Sequence, residues 1–426
     1  MLKFTNTHIH VFTDRCVSPN FLRIIPAAFV RTFAPQLLKA LSSEVGRVFI
    51  RQLNLAQVGK DEMSRKKFDK YLSFLNVALQ RTQREVLQIE LKTLLTEAPE
   101  GRAVLLTMNM DYMDDVKPPM DFETQLAEVL QIQRYYGQHV VNFLGIDPRH
   151  KSGEDLVIWS RRYFEGGLNT AGGVRPFFSG IKLYPALGFF PFDNRLLDMY
   201  AYAEKYHLPV ISHCTRVGNQ YIGSAIEQLV PRDISVVFPA SDYPAIQSVK
   251  LNLQERIDLY YQNKWIKNNG KGNNDKACDL FGHPLNYVPI LETFPQLKIC
   301  LAHMGGATEL VKGKEDAYLK QVREEDPLLW GEHIIRLMQQ YPNLYTDISY
   351  TLNELNREEV FNAITKLFIT RDRFDQPLYK RVLFGTDFFM TEQENNESVL
   401  FQLAYNKLSP YWEHLTRINP AKFLGC

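Results

Sequence analysis

The chain has 426 residues, of which 45% are hydrophobic and 23% are charged, proportions that exclude a disordered protein and are typical of a folded globular one. Its 49 lysines and arginines nearly balance its 48 aspartates and glutamates, so no basic excess points to a nucleic acid or a membrane surface as partner. Five cysteines without a CxxC pair indicate free thiols in a reducing compartment.

The sequence contains no run of about 18 apolar residues that would predict a membrane span. Its first residues also lack the apolar core of a secretory signal peptide. We therefore expect a cytoplasmic protein that binds neither nucleic acid nor membrane and that could form a homo-oligomer.

Short apolar runs recur along the chain, and several of them end in a polar or charged residue. Eight of these runs predict buried strands, because continuous apolar runs are typical of a parallel sheet that is covered on both faces. They lie at residues 2–12, 103–110, 140–147, 178–184, 208–213, 297–303, 344–348 and 381–387.

Apolar residues at helical spacing fill several of the gaps between these strands. This spacing predicts helices at residues 122–136, 194–206, 330–340 and 357–369. Strands and helices in eightfold alternation are the signature of a closed barrel. The predicted fold class is therefore α/β, with a single (β/α)8 TIM-type barrel over residues 1–426.

The chain is longer than the roughly 250 residues of a typical barrel. Most of the surplus lies in two segments, at about 13–102 and 218–283. The elements predicted within them are helices at 21–41, 61–96 and 254–265 and a flexible loop at 268–276. Both segments follow predicted strand ends, where barrel loops surround the active site. We expect two largely helical or irregular insertions over the catalytic face; decorative or oligomer-forming insertions are the alternative.

Side chains that can bind metal stand at several of the predicted strands. His8 and His10 are two residues apart on the first strand, a spacing that points both side chains to one face. The others, on four later strands, are Lys182, His213, His303 and Asp387. Such groups are costly to bury unless they are paired or bind a metal. Imidazole nitrogen and carboxylate oxygen suit zinc and other first-row divalent ions, so the pattern predicts a divalent metal site.

This joint pattern resembles the amidohydrolase superfamily. The local sequences THIH, GIKLYP, ISHC, ICLAHMGG, LFGTDFF and INPAKFLG are similar to the amidohydrolase-related branch, which includes metal-dependent decarboxylases. The resemblance covers residues 1–425 apart from the two insertions. It is specific for the fold and the metal but not for the substrate, because one barrel hosts many reactions.

The resemblance implies a role for each of these side chains. The metal ligands that it implies are His8, His10, His213 and Asp387. His303 would be either a ligand of a second metal or a base beside a single one. Lys182 would either be carboxylated and bridge two metals or remain an amine that faces the substrate, and the sequence around it favours one metal and a free amine. Zinc is the expected ion, with manganese, nickel or iron as alternatives.

The function that the resemblance implies is a metal-dependent hydrolase, in which metal-activated water attacks an amide, ester or lactone carbonyl of a small molecule. Its catalytic residues would be Asp387, His303 and Lys182, with Asp387 accepting the proton of the water. The alternative is a metal-dependent decarboxylase of an aromatic or unsaturated carboxylic acid. A third possibility, a barrel that binds metal without catalysis, is disfavoured because the set of six side chains is intact.

Three further residues are candidates for the surroundings of the metal. Arg216, three residues after His213, could hold a substrate carboxylate, and its alternative is a surface position in a loop. Tyr184 could line the pocket and bind substrate; alternatively, its ring could serve only to pack the barrel. Asp347, at the end of the seventh predicted strand, is expected to orient a ligand histidine.

Overall fold

Ten strands organise the computed structural model, which describes residues 3–19, 77–78, 80–170, 173–216, 218, 220–224, 226–236, 244–262, 274–313, 320, 322–324 and 326–425. The strands are β1 (Thr5–Ile9), β2 (Arg102–Leu106), β3 (Val140–Ile146), β4 (Gly167–Thr170), β5 (Gly173–Pro176), β6 (Gly180–Leu183), β7 (Val210–Ser212), β8 (Ile299–Leu301), β9 (Leu344–Asp347) and β10 (Val382–Leu383). β4 and β5 form a separate antiparallel hairpin, and the other eight form one parallel sheet in chain order.

The first and last strand segments of this sheet meet and close it into a barrel. The Thr7 amide donates a hydrogen bond to the carbonyl of Phe384 at 2.8 Å, and the Asp387 amide donates to the carbonyl of His8 at 2.8 Å. Every predicted strand overlaps one strand of the sheet. The predicted α/β barrel is therefore confirmed.

Twelve α-helices of the described residues accompany the strands. They are α1 (Gln83–Glu97), α2 (Phe122–Tyr136), α3 (Gly153–Phe164), α4 (Leu197–Lys205), α5 (Ile226–Leu229), α6 (Pro244–Gln262), α7 (Asn274–Gly282), α8 (Val288–Thr293), α9 (Trp330–Gln340), α10 (Glu358–Ile369), α11 (Glu397–Leu408) and α12 (Asn419–Leu424). α2 and α9 coincide with their predictions at both ends. None of the helices in the described ranges is both long and apolar enough to cross a bilayer.

The two predicted insertions are described only in part. The predicted helix at 21–41 lies outside the described residues, and α1 covers the end of the predicted helix at 61–96. α6 overlaps the predicted helix at 254–265 but begins earlier. The loop prediction for 268–276 is wrong for its last three residues, which begin α7, and its first part lies outside the described residues. That the insertions cover the catalytic face stays a prediction.

The interior of the barrel is a small apolar core, separate from the larger core under the outer helices. Its fully buried members are Val104, Phe143, Ile211, Cys300, Ala302, Leu383 and Phe423. Phe423 belongs to α12, and its ring centroid lies 5.0 Å from that of Tyr345 at the beginning of β9. α12 therefore fills the end of the barrel that is opposite Asp347, the last residue of β9.

We predict that Phe423→Ala lowers the free energy of unfolding by about 3–5 kcal/mol, because it removes buried ring surface and leaves a cavity. Phe374→Ala is the control, because that side chain is 57% exposed and its loss should change stability little. Thermal and denaturant unfolding of both variants measures the effect. A cost for Phe423→Ala no larger than that of the control would show that α12 is not part of the barrel core.

Candidate metal centre

An extra residue in β1 decides where its histidines point. Pairing between β1 and β2 advances by three residues on β1, from Asn6 to Ile9, but by two on β2. A bulge of this kind re-aims the side chains that follow it. Asn6 accordingly contacts glutamates of the outer helices α1 and α11, whereas His8, two residues later, bonds Asp347 of β9 at 2.9 Å.

His8, His10 and Asp387 form a buried group that fits a metal ion. Their ligand atoms all lie within 4.8 Å of one another. Asp387 Oδ1 is 3.5 Å from His8 Nε2 and 3.3 Å from His10 Nε2. Among the described residues, neither His8 Nε2 nor Asp387 Oδ1 has a hydrogen-bond partner. Buried lone pairs that face one another without a donor between them are what a divalent cation would satisfy.

Hydrogen bonds on the far side of each ring fix the tautomers of the two histidines. His8 Nδ1 meets the Asp347 carboxylate at 2.9 Å, and His10 Nδ1 meets the carbonyl oxygen of Leu106 at 3.0 Å. Both partners only accept hydrogen bonds, so Nδ1 of each neutral ring carries the hydrogen. The Nε2 lone pairs of His8 and His10 are therefore left facing Asp387, as metal ligation requires.

The surroundings also set the charges that a metal needs. Burial, aided by the charge of Lys182, lowers the pKa of His8 to about 3, and burial lowers the pKa of His10 as well. Burial alone would raise the pKa of Asp387, but its interactions with the nearby histidines outweigh burial and lower the pKa. Both imidazoles are therefore neutral and the carboxylate is ionised near pH 7, which are the ligand forms.

His303 and His213 form a second histidine pair beside this group. His303 Nδ1 lies 3.1 Å from the carbonyl of Ser349, so it carries the hydrogen. His303 Nε2 then presents its lone pair to His213 Nδ1, which lies 3.1 Å away. Ser349 Oγ contacts both His303 Nδ1 at 2.9 Å and His8 Nδ1 at 3.1 Å, and so connects the pair to the first group.

His213 is not among the side chains that approach one another within 4.8 Å around Asp387. Its ring lies against that of Tyr184, with 4.0 Å between the centroids. On the other side stands Gly218, whose φ is +131° and where an added Cβ would lie 2.9 Å from His213 Nε2. Only glycine fits so close an approach. The role of His213 as a fourth ligand stays a prediction.

The backbone is strained at two of the predicted catalytic residues. His303 has a φ of 65° and Asp387 a φ of 64°, values that residues other than glycine rarely adopt. Such conformations cost about 1–3 kcal/mol and persist where the surrounding structure enforces them. Both residues follow a strand of the barrel, and in this conformation the His303 side chain contacts His213 and the Asp387 side chain contacts His10.

Lys182 lies beside the metal group and lines a small cavity of about 10 Å³. Its side chain is 1% exposed, and its Nζ has no hydrogen-bond partner among the described residues. Burial lowers the pKa of the ammonium group to about 8, although Asp387 and Asp347 act in the opposite direction. Asn109, Tyr184 and Phe189 line the same cavity. The Asn109 Nδ2 group is likewise buried without a partner within the described ranges.

Arg216 is held by acidic side chains of its own chain. Its Nη2 lies 2.7 Å from Asp279 Oδ1 and its Nε 3.3 Å from Glu309 Oε1, and all three residues are buried. The guanidinium also lies over the ring of Trp330 at 5.6 Å. These contacts brace the segment after β7 against α7, whereas the predicted contact with a substrate carboxylate remains untested. The alternative prediction, that Arg216 lies in a loop at the protein surface, is wrong because the residue is buried.

Asp347 lies where it was predicted, beside His8, a predicted metal ligand, whereas Ser349 was not predicted. Both residues stand in the motif TDIS at the end of β9, and this motif is the signal that could have located Ser349. A further group was missed entirely: His283 Nε2 and His333 Nε2 both contact Asp326, at 3.1 and 2.8 Å. His283 Nδ1 accepts a hydrogen bond from the Leu285 amide, so its Nε2 donates to the carboxylate, which makes this group a hydrogen-bonded triad.

Comparison with known proteins places the chain among proteins of one family. The model of a family described as amidohydrolase matches residues 171–410. None of the curated proteins matches the chain.

Among solved structures, 4-oxalomesaconate hydratase from Rhodopseudomonas palustris is 12% identical, with a TM-score of 0.42 over 99% of this chain and 95% of that one. The 5-carboxyvanillate decarboxylase from Sphingomonas paucimobilis is 13% identical, with a TM-score of 0.42 over 100% and 99%. The 5-carboxyvanillate decarboxylase from Novosphingobium aromaticivorans, complexed with manganese and a nitrobenzoic acid, is 10% identical, with a TM-score of 0.43 over 100% and 96%.

We predict that Asp347→Asn weakens the affinity for a divalent metal by about 10–100-fold, the usual effect of losing the partner that orients a ligand histidine. The carboxylate of Asp347 accepts a hydrogen bond from His8 Nδ1, whereas the side-chain amide of an asparagine can also donate one. His8 would therefore lose its fixed tautomer. Titration of the metal-free protein with zinc or manganese measures the change. The exposed Asp375→Asn is the control, and an affinity of Asp347→Asn equal to the control would contradict the role of Asp347.

Proposed function

The chain belongs to the amidohydrolase family of metal-dependent enzymes, and on that premise we propose that it is a metal-dependent decarboxylase of an aromatic or unsaturated carboxylic acid. The observation that carries the proposal is the pair of buried donors, Lys182 Nζ and Asn109 Nδ2, on one cavity beside the metal group. A buried donor without a partner is costly, and a substrate carboxylate would satisfy both.

The side chains around this cavity would suit an aromatic or unsaturated substrate body, for which the cavity would have to widen. Tyr184 and Phe189 line it with ring surface, and Leu187 and Met108 add apolar surface. Flat unsaturated molecules pack well against such surfaces. Arg149, which stands near this wall over the Phe189 ring, is engaged by Asp147 through two hydrogen bonds of 2.9 and 2.5 Å. Lys182 is therefore the cation that we assign to the substrate carboxylate.

His8, His10 and Asp387 would hold the metal, with His213 as the fourth ligand that we propose. A divalent ion there supplies Lewis acidity toward a substrate oxygen. Lys182 and Asn109 would orient the carboxylate that leaves as carbon dioxide. The carbon that loses it keeps the electron pair of the broken bond and takes a proton from water, which His303 or Asp387 would relay, and the hydroxide left over combines with the carbon dioxide to form bicarbonate.

We propose one metal ion per chain, with zinc first and manganese, nickel or iron as alternatives, because nitrogen and oxygen ligands suit these ions. Lys182 would then remain uncarboxylated and face the cavity. We also propose a cytoplasmic location, in line with four described cysteines that form no disulfide.

A metal-dependent hydrolase of an amide, ester or lactone is the second candidate. The ionised state of Asp387 favours it, because the interactions that lower the pKa of this carboxylate leave it able to accept a proton from water. Lys182 would in that case stabilise the oxyanion that forms from the carbonyl. The two reactions differ in their products, so one screen distinguishes them.

We predict that the protein releases carbon dioxide from an aryl or unsaturated carboxylic acid, and that Asn109→Ala raises KM about tenfold, the cost of one hydrogen bond to a charged group. Lys182→Met should lower kcat/KM by about 100-fold, because it removes the cation that binds the carboxylate.

A screen of acids, amides, esters and lactones in isotope-labelled water would detect the products of both reactions. Lys205→Met, on the surface helix α4, is the control. Turnover of amides or lactones with oxygen incorporated from water would instead establish the hydrolase.

We predict that the double substitution His8→Ala, His10→Ala reduces bound metal from about one ion per chain to a trace, because the remaining ligands cannot complete the coordination sphere. Elemental analysis of the purified proteins measures the metal, and circular dichroism checks the fold. Chelation of the unaltered enzyme should abolish activity, and the divalent ion should restore it. Full metal content in the folded double variant would refute the assignment. Two ions per chain with a carbamate on Lys182 would refute the single-metal proposal.

A further inference from the structure

Four polar residues form a buried cluster behind the strand ends that carry His8 and Asp387. We call it the acid cluster, and its members are Asn6, Glu90, Thr386 and Glu397. Three of them are 0% exposed and Glu397 is 2% exposed. Glu90 comes from α1 and Glu397 from α11, so the cluster lies between the closing edge of the barrel and its two nearest outer helices.

Asn6 and Thr386 join the two ends of the barrel directly. The Thr386 amide donates to Asn6 Oδ1 at 3.1 Å, and Asn6 Nδ2 donates to Thr386 Oγ1 at 2.8 Å. Asn6 stands two residues before His8, and Thr386 one residue before Asp387. This reciprocal pair of bonds therefore reinforces the backbone hydrogen bonds between the two segments that carry proposed metal ligands.

The two glutamates hold this pair from outside the barrel. Asn6 Nδ2 lies 3.2 Å from Glu90 Oε1 and 3.2 Å from Glu397 Oε1. Thr386 Oγ1 donates to Glu397 Oε1 at 2.5 Å. The second oxygen of each carboxyl group, Glu90 Oε2 and Glu397 Oε2, is buried without a hydrogen-bond partner among the described residues. Two carboxylates offer only acceptors to each other, so two buried carboxyl groups on one amide favour a proton on at least one of them.

A further acidic group makes full ionisation of this pair still more costly. Glu392, on the 3-10 turn before α11, accepts a hydrogen bond from the Glu397 amide at 3.3 Å and adds negative charge. Burial raises the pKa of Glu90 to about 7, and burial together with the charge of Glu90 raises the pKa of Glu397 well above its ordinary value. The pair therefore keeps a proton at neutral pH.

We propose that Glu90 and Glu397 are positioning residues that share one proton, and that the protonated pair holds Asn6 and Thr386, and through them His8 and Asp387, in register. The shared proton goes beyond the proposed function, whereas the consequence for the metal rests on it. Loss of the shared proton would place two carboxylates in contact in a dry interior, where their repulsion would push α1 and α11 away from the barrel edge.

The expected pH dependence follows from the raised pKa values. A carboxyl group whose pKa is higher in the folded state than in the unfolded state stabilises the fold at low pH. That contribution is complete below the unfolded value of about 4.3 and disappears as the pH rises through the folded value. For Glu90 this window extends from about pH 4.5 to about pH 7.

The shared proton can be tested on metal-free protein by following Tm at pH 5.5 and pH 8.5. Glu90→Gln cannot ionise, so its Tm relative to the unaltered protein should be several degrees higher at pH 8.5 than at pH 5.5. Glu97→Gln, an exposed position on the same helix α1, is the matched control and should follow the unaltered protein. An equal Tm difference for Glu90→Gln at both pH values would overturn the shared proton.

The positioning role is tested by metal affinity at pH 6.5, with zinc and manganese as the titrants. Glu397→Ala should weaken binding about tenfold, as is usual for the loss of an outer support. Glu397→Gln keeps an acceptor for Thr386 and gains a donor toward Glu90, so it should bind within about twofold of the unaltered protein. Equal affinity in all three proteins would overturn the positioning role. A failure of the unaltered protein to bind either ion would refute the proposed function, while the Tm comparison would still decide the shared proton.

Discussion

One carboxylate, Asp347, is the group on which the arrangement of the metal centre depends. It accepts hydrogen bonds from His8 Nδ1, from the His303 amide and from the Ser349 amide, at distances of 2.9 to 3.0 Å. A carboxylate has only lone pairs to offer, so every neighbour must turn a hydrogen toward it. His8 then has to expose its other nitrogen, and His303 is fixed at the base of its strained turn. A single buried anion thus imposes orientation on two strand ends.

The metal centre also depends on the closure of the barrel. Two of its side chains come from β1 and the third follows β10, so they are at opposite ends of the chain and meet only because these strands pair. The bulge in β1 is part of the same arrangement. It lets Asn6 face the outer helices and His8 face the interior, so one short strand serves both the acid cluster and the metal group. Packing and chemistry therefore share a few residues.

Much of the fold was predictable because buried parallel strands leave continuous apolar runs in the sequence, and every one of the eight overlaps a strand. The side chains that gather around Asp387 were predictable for a related reason, since ionisable residues at strand ends of a barrel converge. Other features were not predictable in this way, and three of them show why. The bulge adds one residue without changing the apolar pattern, so alternation alone would put Asn6 and His8 on the same face. Arg216 has its partners, Asp279 and Glu309, far away in sequence. α3 was missed although Ser152 and the acidic residues after it are a helix-start signal.

The pairing of Thr7 with Phe384 joins residues that are 377 positions apart. During synthesis on the ribosome, β1 emerges first and waits with one edge open until nearly the whole chain has been made. An open strand edge is a template for pairing with other chains, and contacts between remote residues form slowly. The nascent protein therefore carries its histidines in an incomplete barrel for most of its translation time. The three side chains of the metal group can come together only when the last strand of the barrel has paired with the first.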